Sequence, residues 1–128
     1  MQNILDKVID FHQAFKIPFN LQPTATPGDD IINLRHRLMA EENDEYLEAC
    51  QSKDLSLIAD ALGDQLYILA GTMIAHGLQD KIIAVFDEIH KSNMSKLDEN
   101  GLPIYREDGK VLKSNLYFKP NIQAILNQ

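Results

Sequence analysis

Two groups of carboxylates stand where helical periodicity calls for apolar side chains: Glu41, Glu42 and Glu45 in "LMAEENDEYLEAC", and Asp60 and Asp64 in "IADALGDQLYIL". At 100° per residue, Ile31, Leu34, Leu38, Glu42, Glu45 and Ala49 fall on one stripe, with Glu41 on its edge. Asp44 and Glu48 fall opposite, where solvated acids belong. The spacings i,i+3 (Glu42, Glu45) and i,i+4 (Glu41, Glu45; Asp60, Asp64) give each segment at least two carboxylates on one face. Oxygen donors without a His or Cys cluster suit a hard divalent cation, Mg²⁺ first and Mn²⁺ next, rather than zinc. Such ions would offset the repulsion among Glu42, Glu45, Asp60 and Asp64, orient a phosphate chain and lower the pKa of a bound water. Glu41 is the spare carboxylate that would orient or deprotonate that water.

Helices must carry these acids. Ile4, Val8, Phe11 and Phe15 recur every three to four residues and predict a first helix over residues 2–16, with Phe15 in the core and His12 at the surface. Pro18, Pro23 and Pro27 enforce an extended connection. Asp29 or Asp30 in "PGDD" is a helix N-cap, and the second helix runs to about residue 51. Asp54 caps a third helix that ends at His76, with Gly77 as a left-handed stop. That third helix is apolar nearly all round, which predicts burial on both sides and a cationic group facing Asp60 and Asp64. A fourth helix covers residues 79–93. The expected fold is all-α, an antiparallel four-helix bundle followed by a small C-terminal hairpin and extended tail. The hairpin is read at Ile104–Tyr105–Arg106 and Lys110–Val111–Leu112, and a last short helix at residues 121–127.

At 128 residues the chain is expected to form one domain. Its net charge of -7 is uneven: residues 1–90 hold 15 acids against 6 Lys or Arg, and residues 91–128 hold 4 against 6. The acidic body argues against a long nucleic acid as partner, which needs a broad positive surface, while a short polyphosphate remains compatible. A lone cysteine, Cys50, implies no disulfide within the chain. The N-terminus has no signal-peptide pattern, and the longest apolar-rich stretch, residues 68–75, is too short for a bilayer, so a cytoplasmic protein without a membrane partner is expected.

"HKSNMSK" gathers His90, Ser92, Asn93, Ser95 and Lys96 at the end of the fourth helix. Asn93 offers the donor and acceptor pair that reads a base edge, and Lys96 a point charge for phosphate. Lys110 and Lys113 on the hairpin are further phosphate candidates. "DENGLPIYREDG" lacks EF-hand ligands, and no Walker loop, GxGxxG or GxSxG is present. His12, His36 and His76 have no ligand-like spacing.

Together these residues resemble the all-α nucleoside triphosphate pyrophosphohydrolases of the MazG and phosphoribosyl-ATP pyrophosphohydrolase-like superfamily. The E-E-x-x-E motif is intact as Glu41, Glu42 and Glu45. In the second motif, E-x-x-D, Asp64 matches, but Ala61 stands at the glutamate's place and Asp60 lies one residue earlier as its substitute. "DALGDQLYILAGT" and "IHKSNMSKLDENGLPIYREDGKVLK" are similar to one bacterial and phage-like subgroup. The resemblance implies Mg²⁺-dependent hydrolysis of a (deoxy)nucleoside triphosphate to the monophosphate and pyrophosphate. Metal ligands would be Glu42, Glu45, Asp64 and Asp60, the water-activating residue Glu41, and the nucleotide contacts Asn93, Lys96, Lys110 and Lys113. It further implies a homodimer or homotetramer, in which Phe15 or His12 of a neighbouring chain would complete the base pocket. Two alternatives stay open: a phosphoribosyl-ATP pyrophosphohydrolase, and a non-catalytic helical oligomer binding nucleotide or a partner.

Overall fold

A computed structural model describes residues 1–128. It contains five helices, α1 (Gln2–Ala14), α2 (Asp29–Ser52), α3 (Leu55–Ala75), α4 (Ile82–Met94) and α5 (Ile122–Leu126), and one hairpin, β1 (Ile104–Tyr105) with β2 (Val111–Leu112). The chain divides into two compact units, Met1–Asp80 and Lys81–Gln128.

In the first unit α3 packs against both α1 and α2. Arg35 meets Ile68 and Thr72, whereas Asn43 meets Gln65, so α2 and α3 run in opposite directions. The turn between them is only Lys53 and Asp54. Lys53 takes the left-handed conformation (φ 57°), and the Asp54 carboxylate accepts from the Ser56 N–H at 2.9 Å as N-cap. At the other end of α3, Gly77 has φ 68° and closes against the Gln22 carbonyl. Asn20 and Thr24 tie the proline-rich connection to α3 through Ile74 O, Ala75 O and His76 O. The core is Leu5 and Val8 of α1, Ala49 of α2, and Ala61, Ala70, Ile74 and Ala75 of α3.

The structure corrects four local expectations. Helix α2 is preceded by Gly28 without a side-chain cap, and Asp29 and Asp30 lie inside its first turn, where they complement the helix dipole. Phe15 is 68% exposed and His12 only 3%, because α1 ends at Ala14 and the chain turns away at Phe15. Leu34 lies partly in solvent while Arg35 is buried, so the buried line of α2 runs through Arg35, Glu42 and Ala49. The fourth correction concerns α3, which is not buried on both sides: Leu55, Leu57, Leu62, Leu66 and Leu69 are exposed, as are Asp60 and Asp64. Because both acids are open to solvent, burial by itself does not call for a cation against them.

At 21 residues, α3 is long and apolar enough to cross a membrane by length and composition alone. The short apolar stretch read at residues 68–75 is the end of this longer helix, interrupted by Asp60 and Asp64. Only 22% of its most apolar window is buried, so packing against α1 and α2 covers a minor part of that apolar surface.

The second unit joins α4 to α5 and carries the hairpin, with Ile104 opposite Leu112 and Tyr105 opposite Val111. The hairpin and terminal helix lie where the turn and Pro120 signals place them. Ser92 and Ser95 pin the tail to the end of α4: Ser92 Oγ donates to Phe118 O at 2.8 Å, and Ser95 Oγ accepts from Phe118 N–H at 3.1 Å. Ser114 Oγ adds a bond to Ser95 O at 3.0 Å.

Candidate metal centre

Packing of α2 on α3 brings Glu42, Glu45 and Asp64 together, with one carboxylate oxygen of each within 4.8 Å of the others. Glu42 comes from the buried line of α2, Glu45 from the next turn, and Asp64 from the facing turn of α3. Glu45 and Asp64 are open to solvent and Glu42 is half-buried. The site is thus a rim that a ligand can reach from one side.

Glu42 carries the strain of this arrangement. Its Oε2 is buried and has no hydrogen-bond partner. Burial first, and then the nearby Glu45, Asp64 and Glu41, push its carboxyl above the usual carboxylate range. An acid crowded by acids is stabilised either by a proton or by a cation. Three hard oxygen donors and an orphaned buried oxygen fit a divalent ion of the Mg²⁺ or Mn²⁺ class.

The remaining acids have distinct places. Glu41 is exposed and close enough to Glu42 to raise its pKa, yet outside the three-oxygen set. Asp60 is also outside that set. It lines an adjoining groove of about 250 Å³ with Glu45, Glu48, Ala49, Leu57 and Ala61. Ala61 is buried there and shares the groove wall with the carboxylates of Asp60, Glu45 and Glu48. Glu48, read as a solvated acid opposite the stripe, lines the same groove. The signal was available: three residues past Glu45, it stays on the neighbouring edge of that face. Asn43, which accepts from Gln65 Nε2 at 3.2 Å beside the acids, was also missed.

The proposed nucleotide contacts all belong to the second unit. Asn93 is exposed on α4 and Lys96 lies just beyond its end. Lys110 is exposed at the hairpin turn, where its backbone N–H donates to Asp108 Oδ1 at 3.1 Å. Lys113 Nζ rests 4.6 Å from the centre of the Tyr117 ring, a cation–π contact within the tail. Ser92 and Ser95, the two serines of "HKSNMSK", are spent on holding that tail.

Comparison with known families finds one matching model, described as phosphoribosyl-ATP pyrophosphohydrolase, over residues 8–93. The matched span is about two thirds of the chain. It contains all five acids and ends at Asn93. No curated protein matches the chain.

Proposed function

The chain belongs to the phosphoribosyl-ATP pyrophosphohydrolase family, within the all-α MazG-like superfamily, and from that premise we propose that it hydrolyses a (deoxy)nucleoside triphosphate between its α- and β-phosphates. The family makes the chain a hydrolase of phosphoanhydride bonds. The observation that carries the finer reading is the convergence of Glu42, Glu45 and Asp64 on one accessible rim.

In this reading Glu42, Glu45 and Asp64 hold Mg²⁺, and Asp60 serves from the groove beside them. The bound ion supplies charge neutralisation for the phosphate oxygens and acidifies water. Glu41, exposed at the edge of the set, accepts the proton of the water whose oxygen bonds to the α-phosphorus. The α–β bridging bond breaks and pyrophosphate leaves with the bridging oxygen. Asn93 and Lys96 contact the nucleotide, with Lys110 and Lys113 as further cationic contacts.

The same proposal includes an antiparallel four-helix bundle in a cytoplasmic homodimer or homotetramer. It is supported by the apolar side chains of Leu62, Leu66 and Leu69 that α3 leaves exposed. Sedimentation of the purified chain tests it, and a strict monomer at micromolar concentration rejects it.

One specific observation favours a second reading. The matching family is itself described by phosphoribosyl-ATP, so that compound belongs in the assay. Pyrophosphate release with Mg²⁺ is measured across the common NTPs, dNTPs and phosphoribosyl-ATP. Turnover of a dNTP or NTP far above phosphoribosyl-ATP supports the first reading, and the reverse supports the second. Binding of Mg²⁺ without any turnover identifies a non-catalytic binder.

A further inference from the structure

Arg35 is a charged residue, 8% exposed, with no carboxylate within ion-pairing distance. A buried guanidinium is costly unless its N–H groups are satisfied. Here two are satisfied by α3: Nε donates to Thr72 Oγ1 at 3.1 Å and Nη2 to the Ile68 carbonyl at 2.7 Å. The Thr72 hydroxyl donates in turn to the same Ile68 carbonyl at 3.0 Å, which leaves its lone pairs for Arg35.

Gly71 completes the seat. A Cβ built there would lie 2.4 Å from Arg35 Nη2 and 3.2 Å from His12 Nε2, so a side chain at this position would push the guanidinium out of this seat. His12 closes the other side from α1. Burial, and then the charge of Arg35, hold its imidazole below the ordinary range against a weaker pull from the Pro18 carbonyl, so at neutral pH it adds no second charge.

The seat lies in line with the metal centre. Arg35 and Glu42 are seven residues apart on the buried line of α2, and Ile68 is one turn after Asp64 on α3. A rotation or slip of α2 by one residue moves its side chains by about 1.5 Å along the axis. Metal ligation tolerates errors of only about 0.2 Å. At the rim the side-chain bond across the interface is the one from Gln65 Nε2 to Asn43 Oδ1, 3.2 Å long and exposed to competing water. Bonds spanning the interface two turns away are able to hold that register.

We propose that Arg35, seated on Ile68, Gly71 and Thr72, is the positioning residue that locks α2 against α3 in the register at which Glu42 and Glu45 meet Asp64. It acts through the acids and touches neither metal nor nucleotide. This role rests on the reading of the acids as a metal centre.

The test uses Mn²⁺ alone as probe, titrated into the whole chain at a temperature where circular dichroism shows each variant fully folded. Thr72→Val keeps the side-chain shape and removes the acceptor of Arg35 Nε. It is expected to weaken Mn²⁺ binding by roughly 10-fold, in the range seen when the groups supporting metal ligands are removed. Thr72→Ser, which keeps the hydroxyl, restores affinity to within about 3-fold of wild type. Gly71→Ala and Arg35→Met should weaken Mn²⁺ at least as much, and if either fails to fold, the threonine pair still decides. A folded Thr72→Val protein that melts earlier but binds Mn²⁺ as wild type overturns the proposal, leaving Arg35 a general stability element. So does a wild-type protein that binds no Mn²⁺. Wild type that binds Mn²⁺ yet releases no pyrophosphate rejects the hydrolase reading, while the titration still judges the positioning role.

Discussion

Replacing Glu42 by glutamine should make the metal-free protein more stable and the metal-loaded protein less so. The carboxylate oxygens of Glu42, Glu45 and Asp64 lie within 4.8 Å of one another. At that separation two unit charges repel by about 1 kcal/mol in water and about 3.5 kcal/mol at an effective dielectric of 20. Glu45 and Asp64 are exposed, so solvent screening puts each contact near the lower figure. Glu42→Gln removes two such repulsions and the burial cost of the charge, a gain of about 1–2 kcal/mol at low ionic strength. For a chain of this size that raises the melting temperature by roughly 3–8 °C. Binding Mg²⁺ at a hundred times its dissociation constant adds about 2.7 kcal/mol to the wild type, and the variant should forgo most of it. The assay is thermal melting by circular dichroism in low salt, once with a chelator and once with saturating Mg²⁺. The two proteins should exchange order between conditions, and the gap in chelator should shrink in 1 M salt. A variant that melts below wild type in the chelator would refute the reasoning, because Glu42 would then be a stabilising partner rather than a repelled one.

Further outcomes follow from the same geometry. Because the Glu42 carboxyl titrates above its ordinary 4.5 in the folded state, that state binds the proton more tightly. Its stabilisation is complete below that value and is lost as pH rises through the raised one. The wild type minus Glu42→Gln difference in urea stability should therefore grow more negative with pH above about 4.5, and a flat difference rejects this. Asp64→Asn should cut pyrophosphate release by at least about 100-fold and Asp60→Asn by less than about 10-fold, since only Asp64 joins the three-oxygen set. Equal losses would place Asp60 among the ligands. Gly77→Ala combines φ 68° with a Cβ 2.0 Å from Gln22 O, and it should lower urea stability by about 2–3 kcal/mol. A neutral result would show that the connection moves freely from α3.

Much of this protein is legible along the chain because local physics decides it. Apolar recurrence placed the helices within a few residues, Asp54 began α3 and Gly77 ended it as expected, and the turn chemistry of residues 106–110 announced the hairpin. The E-E-x-x-E and D-x-x-x-D spacings contain the three acids that meet, together with Glu41 and Asp60, which lie outside the set. Misreadings occurred where two elements had to be known at once. The α2 stripe was read through Leu34 and left Arg35 off it, yet the partner helix offers Arg35 a carbonyl, a hydroxyl and a glycine notch. The apolar circumference of α3 promised burial on both sides, but periodicity counts faces and does not say whether neighbours exist to cover them.

The sequence by itself determined the class of elements, the donors available for a hard cation and the side of each helix that carries them, because these depend on backbone period and side-chain chemistry. Only the tertiary structure decided that Glu42, Glu45 and Asp64 converge while Asp60 turns to the adjoining groove with Glu48. It also showed that Arg35 sits on the same line. Distances between helices depend on the register at which two surfaces fit, and no spacing along one helix contains that quantity.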